Sequence, residues 1–417
     1  MVSAAYFASQ RLEGAAQWGA PRDLAALGAA GPSRLGPGDA LLVGFPPRRE
    51  APFFWRETQA EITAQGSADQ PARLAFGLMQ ADGGLAPAPR TAPAQLRMAR
   101  AGFPRQAAPE PYGKPYMILT DPSQVELSGP RFDGCGAKGF FRLVGAGQGL
   151  AFSDLHARMA GRAIETEAGS RFSDVVIARS TVYGAIRGFA RFHELSAARF
   201  VDLDLDAGGI DGGGKRVCQL ISVRAGSGLR FERVHLRRAV NLLDAEARGS
   251  TYVQGDGVVL EEDTSGATFV DCHARGFGDA GFDMKCDGIR FLRCSVRGCK
   301  YGVRVWRDAP GNLLEMCTIS DPVPRPDNAA ACLWVGGQVT LRHCALSTAP
   351  EAAVIRFGKG LDTKERVVRM TGGRIEIPPG GALLAGEPGR LEMTEVMLGP
   401  ERVTGVATWT GRELVRG

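Results

Sequence analysis

Long apolar runs are missing from this chain. No stretch of 18 apolar residues occurs, so no membrane-spanning helix is expected. Met1–Leu12 lacks a basic start followed by an apolar core, so it does not read as a signal peptide. The nine cysteines include no CxxC pair, and their odd number argues against a disulfide framework. These features suit a reducing, cytoplasmic compartment, or a secreted or periplasmic one if a leader has been removed. Aromatics are few, 7%, and no basic run is interleaved with them, so nucleic acid is not an expected partner. The net charge of +5 is a mild excess that suits an acidic ligand. HExxH, P-loop, GxSxG and Rossmann GxGxxG motifs are all absent, which removes the commonest zinc, nucleotide and serine-nucleophile chemistries.

What is present is glycine, 56 residues, and proline, 25, set among short apolar runs. That composition favours many short strands and turns over long helices. Length alone suggests two or three domains, but repeats can make one long domain instead. Three segments carry the same short strand: Gly255–Glu261, Asp279–Lys285 and Lys300–Trp306. Aligning Gly257, Gly281 and Gly302 gives spacings of 24 and 21 residues, the length of one coil of a parallel β-solenoid. Period-two alternation then puts Val258/Leu260, Phe282/Met284 and Val303/Val305 on the inward face. Val259/Glu261, Asp283/Lys285 and Arg304/Trp306 fall on the outward face, with Asp283 beside Arg304 and Glu261 beside Lys285.

A second phrase recurs from about Leu150, with anchors at Phe152, Ile177, Phe200, Phe231, Phe269, Phe291, Leu314, Leu341 and Met370. Small or apolar residues follow three positions later, among them Val234, Cys272, Cys294, Cys317 and Cys344, and again two beyond those. Each phrase reads as a strand, a two-residue bend and another strand. The expected fold is all-β: a right-handed parallel β-helix with three strands per coil. It spans about 35–398, with an irregular insertion at about 79–116 and a tail at 399–417. Residues 1–34 form an N-terminal segment in which Pro21–Leu27 is expected to be a short helical cap. Leu35–Val43 reads as a turn and a strand, and Ile62–Phe76 as two more strands. The four cysteines form an internal column of small apolar residues at the bend, expected to be buried and reduced. His235 and His273 fall at equivalent outward positions, on a face other than that of Asp283.

The candidate chemistry lies on the face of the glycine-aligned strands. Asp256, Asp279 and Asp283 are three carboxylates that can converge on a hard cation. Lys285, Lys300 and Arg304 are the basic residues nearest them. Trp306 offers a stacking surface for a sugar, with Arg307 and Glu261 beside it as further substrate contacts. Asp256, Asp279-Ala-Gly-Phe-Asp283 and Gly302-Val-Arg304 resemble the calcium-and-base constellation of the family 9 polysaccharide lyases, within the pectate lyase β-helix superfamily. As fold the resemblance covers most of the chain, and as site about 50 residues. Ala280 stands where that family has a calcium Asp, and Arg304 where it has the Lys base. The resemblance implies Ca²⁺ at Asp256, Asp279 and Asp283, and β-elimination on a uronic-acid-containing polysaccharide or oligosaccharide. Arg304, or Lys285 or Lys300, would take the C5 proton. As a base, Arg304 needs an electropositive, desolvated setting. Glycoside hydrolysis by a carboxylate pair and non-catalytic carbohydrate binding remain alternatives on the same scaffold. The site is expected to be an open groove.

Overall fold

The computed structural model describes residues 6–10, 34–45, 53–55, 60–79, 85–86, 96–98, 115, 117–134, 139–211, 217–242, 249–325, 330–362 and 364–417. Every regular element that lies wholly within these residues is a strand. No helix among them is long and apolar enough to cross a membrane. The chain divides into two compact units, Met1–Asp206 and Ala207–Gly417.

In the first unit, Val125–Ser128 lies parallel between Ala72–Met79 and Ala146–Ser153. The series continues through Arg171–Ala178 and Arg199–Asp206, which brings Phe152, Ile177 and Phe200 into one column. The Leu35–Val43 and Ile62–Phe76 readings hold: strands run over Ala40–Phe45, Ala60–Gln65 and Ala72–Met79. Asp39 sets the turn before the first of these by accepting the Gly36 N–H at 2.8 Å. The helical cap is not supported. The described N-terminal element is a strand, Tyr6–Gln10, antiparallel to Ala40–Phe45. Strand pairing satisfies the hydrogen bonds of an open sheet edge, which a helix laid over it does not. Pro21–Leu27 itself lies outside the described residues, as does most of the 79–116 insertion. Within that insertion Leu96–Met98 is a strand paired with Phe53–Trp55 and with Arg131–Asp133, so part of it belongs to the ladders.

In the second unit the strands fall into three parallel ladders. The first runs from Gln219–Ser227 through Asp256–Ser265, Ala280–Met284, Tyr301–Val305, Ala331–Val335 and Ala353–Phe357 to Ala382–Gly386. The second aligns Phe231, Phe269, Phe291, Leu314, Leu341 and Met370. The third aligns Leu236, Ala274, Val296, Ile319 and Leu346. This is a parallel β-helix arrangement, consistent with the right hand. The 399–417 segment closes its far edge: Glu401–Trp409 pairs antiparallel with Gly389–Leu398 and with Leu414–Arg416.

The core is a stack. Phe269 lies parallel to Phe231 at 4.5 Å and to Phe291 at 4.3 Å, ring centroid to ring centroid. Burying each ring contributes about 1.5–3 kcal/mol, and such ring pairs add about 0.5–1.5 kcal/mol. Between the second and third ladders the bends are two residues long: Asp271–Cys272, Arg293–Cys294, Met316–Cys317 and His343–Cys344. The first residue of each is left-handed, with φ of 52°, 53°, 52° and 52°. The second is a buried free thiol, so the cysteines do stack at the bend. Cys135 lies outside the described residues.

Candidate functional site

Glycine sets the register of the first ladder by space. A Cβ on Gly281 would meet the Val296 methyl at 2.7 Å and Ala274 Cβ at 3.1 Å, while one on Gly302 would press into Ile319 and the Cys332 carbonyl. These strand entrances therefore sit tight against the third ladder. Val258, Phe282 and Val303 align inward, and Val259, Asp283 and Arg304 align outward. Lys285 Nζ reaches Glu261 at 2.8 Å, as the alignment requires. Asp256 and Asp279 are not equivalent positions. Asp256 accepts the Ala280 N–H at 3.0 Å, while the Asp279 backbone donates to the Gly255 carbonyl and accepts from the Tyr301 N–H.

Arg304 is the hub. Its Nη1 donates to Asp279 Oδ2 at 2.9 Å and to the Tyr252 hydroxyl at 3.3 Å, and its Nε lies 3.7 Å from Asp283 Oδ1. Its guanidinium carbon lies 4.5 Å from the Trp306 ring centre, 5.0 Å from that of Trp334 and 5.4 Å from that of Tyr301. Tyr252 donates to Asp279 Oδ2 at 2.6 Å. Asp279 Oδ1 is buried with no hydrogen-bond partner among the described residues. Trp306 Nε1 donates to Asp283 Oδ1 at 2.6 Å, and its ring rests on Trp334 at 4.5 Å. Lys300 Nζ lies over the Tyr252 ring at 3.7 Å.

The site is covered, not an open groove. Asp256, Asp279, Asp283, Lys300 and Arg304 are 4%, 4%, 5%, 0% and 8% exposed. Tyr301 and Trp334, buried residues of the same apolar cluster, form a layer with Trp306 outside the ladder. Outward from the core is here not outward to water. Tyr252 and Trp306 remain partly exposed.

The electrostatics follow from that burial. Burial, with Asp279 and Asp283 nearby, pushes the Asp256 carboxyl well above the usual range. Burial also raises Asp279, against the pull of Arg304. Burial raises the Tyr252 phenol too, again opposed by Arg304. For Arg304 burial works to release the proton, but Asp283 and Asp279 outweigh it and hold the guanidinium above its ordinary value. Lys285 is likewise raised, because Asp283 and Glu261 outweigh its burial. The electropositive setting that an arginine base requires is therefore not met: carboxylates surround Arg304 and keep it charged.

The other expected site residues fall as follows. Arg307 is occupied by the protein itself, donating to the Lys285 and Glu262 carbonyls at 3.3 and 3.2 Å and to Asp362 at 3.2 Å. Trp306 packs against Trp334 at a tilt of 45° and against the Arg304 guanidinium, so part of its ring is already occupied by the protein. Among the described residues no group of three or more His, Cys, Asp or Glu is placed to hold a metal ion. The oxygens of Asp279 and Asp283 are turned to a guanidinium, a phenol and an indole, which does not fit the six to eight oxygen donors that calcium takes. His235 and His273 are stacked neighbours, 4.9 Å between rings, but on the third ladder.

Sequence reasoning missed Tyr252, Tyr301 and Trp334. Trp334 was reachable: Leu333 and Val335 repeat the apolar-x-apolar strand, but Cys332 replaces the aligning glycine. Tyr252 precedes the ladder strand and carries no periodic signal.

No family model matches this chain, and no curated protein matches it. Among solved structures it is similar to the GH136 lacto-N-biosidase from Eubacterium ramulus, with a TM-score of 0.44 and 11% identity over 84% of this chain and 63% of that one. ORF18 of Geobacillus virus E2 gives a TM-score of 0.42 and 10% identity over 74% of this chain and 58% of that one. This chain thus spans less than two thirds of the length of either. A mannuronic acid specific family 6 polysaccharide lyase from human gut microbiota gives 0.40 and 10% identity over 91% and 81%.

Proposed function

We propose that this protein cleaves a uronic-acid-containing polysaccharide by β-elimination, with Tyr252 as the proton-transferring group. The observation that carries this is the Tyr252 hydroxyl, which donates to Asp279 Oδ2 at 2.6 Å, accepts from Arg304 Nη1 at 3.3 Å and belongs to a partly exposed side chain. Tyr252 Oη takes the C5 proton as its own proton passes to Asp279. Asp279 is suited to receive it, because burial has raised its proton affinity. Arg304 stabilises the charge that passes through Oη and acts as a fixed cation. Collapse of the enediolate expels the C4 oxygen, which takes a proton from Tyr252 on the same face, and Asp279 returns the first proton.

The charges support an acidic substrate. Lys285, Lys300 and Arg304 stand against the carboxylates around them, and burial favours the neutral form of Asp256. Proton transfer to Asp279 makes the cluster more positive at the moment when the substrate carboxylate delocalises negative charge. No step is routed through calcium.

The test is incubation with pectate, alginate, glycosaminoglycans and bacterial exopolysaccharides, reading the ultraviolet absorbance of the unsaturated uronate product. Tyr252→Phe is expected to abolish product while leaving the melting temperature near that of the parent. A fully active Tyr252→Phe overturns the assignment. Glycoside hydrolysis is the second reading, favoured by the raised Asp256 and Asp279 carboxyls and the unpartnered Asp279 Oδ1, which suit a general acid. New reducing ends without the unsaturated product decide for it.

A further inference from the structure

Where charged side chains of the second unit meet in register on successive coils, several pairs are opposite in sign. Asp271 meets Arg293 at 2.8 Å, Glu261 meets Lys285 at 2.8 Å, and Arg369 meets Glu392 at 3.1 Å. Stacked parallel strands place equivalent residues about 4.8 Å apart, so alternation turns each column into a series of attractions.

One column breaks the habit. On the third ladder Arg237, Arg275 and Arg297 are in direct register on successive coils. Arg275 and Arg297 are exposed. Arg297 pairs with Asp321 at 2.7 Å, at the far end of the row. Arg275, in the middle, has no ion-pair partner among the described residues. The adjacent outward column on the same strands is His235, His273, Ser295 and Thr318. It places two imidazoles and two hydroxyls beside the arginines. Like charges in register destabilise a sheet, and Arg275, exposed in the middle of the row with no ion-pair partner among the described residues, is where the local rule is broken and a functional surface is marked.

We infer that this face of the third ladder is a binding surface for a linear acidic polysaccharide, separate from the cluster on the first ladder. The identity of the polymer rests on the substrate class proposed above; the existence of an anion-binding row does not. A row of cations repeating once per coil fits a chain whose anionic groups repeat along its length. Ser295 and Thr318 supply the neutral donors and acceptors that sugar hydroxyls require. The face has no Phe, Tyr or Trp in these columns for bases to stack on, which sets it apart from a single-stranded nucleic acid platform. A non-catalytic contact here would hold the polymer to the protein between cleavage events and raise its effective concentration at the site.

The experiment is affinity electrophoresis of the whole protein through gels containing alginate, pectate or hyaluronan, with neutral dextran as the blank and single-stranded DNA as a competing probe. The parent is expected to be retarded by at least one acidic polysaccharide, less so as salt rises, and not by dextran. Arg275→Glu is expected to weaken that retardation roughly fivefold or more. Arg275→Gln should lie between the two. Both variants should melt no lower than the parent, because Arg275 is exposed and its replacement relieves the repulsion along the row. Arg275-dependent retardation without cleavage of any polymer would sink the proposed lyase activity and leave this surface standing. Unchanged mobility of Arg275→Glu in every acidic gel overturns the inference. So does stronger retardation by single-stranded DNA than by any acidic polysaccharide.

Discussion

Replacing Arg304 with Met removes the charge at the centre of the first-ladder cluster while keeping an unbranched side chain of similar reach. Arg304 is 8% exposed, and the carboxylates it touches, Asp279 and Asp283, are 4% and 5% exposed. Breaking a buried pair by removing one partner costs about 3–5 kcal/mol, because the remaining charge stays buried without compensation. The three aromatic rings around the guanidinium add cation–π contacts of about 0.5–2 kcal/mol that are lost as well, although these do not simply add. For a unit of this size each kcal/mol moves the melting temperature by roughly 2–4 °C, so a fall of roughly 6–20 °C is expected. The exposed pair Arg179–Asp154, with side chains 59% and 41% exposed, gives the contrast. Arg179→Met should cost no more than about 1 kcal/mol.

The pH dependence identifies the cause. The folded Asp256 and Asp279 carboxyls lie above their unfolded values, so the folded state binds more protons than the unfolded state in that window. Their contribution is fully present below the ordinary carboxyl value, about 3.9, and is lost as pH rises through the raised folded values. Arg304 is what opposes the rise at Asp279. Without it the folded value climbs further, and Arg304→Met loses more stability on the alkaline side than the parent does. Urea unfolding, followed by circular dichroism and by the fluorescence of Trp306 and Trp334, should show the variant's deficit growing from acid towards neutral pH. A deficit under 1 kcal/mol at neutral pH, or one that does not change with pH, refutes the reasoning.

Two further outcomes test the packing around the site. Gly302→Ala drives a Cβ into the Ile319 methyl and the Cys332 carbonyl, and overpacking of this kind costs about 1–3 kcal/mol; urea unfolding no different from the parent would refute the close approach. Burial pushes the Cys286, Cys299 and Cys332 thiols up to about 12, and Cys272, although lowered by its hydrogen bond with Cys294, is buried like the other bend cysteines, so at mildly alkaline pH none of the eight described cysteines should react before denaturant is added. Two or more thiols titrating in the native protein would contradict this.

The repeat was legible because a parallel ladder writes itself into sequence twice. Inward residues must be apolar at every coil, and tight strand entrances must be glycine. Phe231, Phe269 and Phe291 satisfy the first condition, Gly257, Gly281 and Gly302 the second, and both alignments match the observed register. The bend cysteines were legible for the same reason, since Val234, Cys272, Cys294, Cys317 and Cys344 recur at one step of the repeat. The expectation of an N-terminal helical cap rested on alanine-rich sequence, which favours helix locally, and the described strand at Tyr6–Gln10 does not support it. What decides the described element is the demand of an open sheet edge for hydrogen bonds, and that demand is not local.

Period-two alternation states which way a side chain leaves the strand and nothing about what lies above it. Asp283 and Arg304 leave the core as their parity requires, and that reading alone makes them an exposed pair worth little. Tyr301 and Trp306 come from the same strand or its edge, Trp334 from the next coil and Tyr252 from the segment before the ladder. Only their convergence in space makes a covered ionic cluster out of a surface ladder. The change reverses the chemistry assigned to the residues. Exposed, Arg304 would be one cation among many and a candidate to receive a proton only in a crowded basic setting. Enclosed with Asp279 and Asp283, it is a permanently charged anchor, and the proposed proton transfer falls instead to the group beside it that is still partly exposed. That group is Tyr252, and its position beyond the repeat is why no pattern pointed to it. In a repeat protein the periodic residues build the platform. A chemical role for a residue outside the period is therefore carried by three-dimensional contact alone, here the 2.6 Å bond from Tyr252 to Asp279.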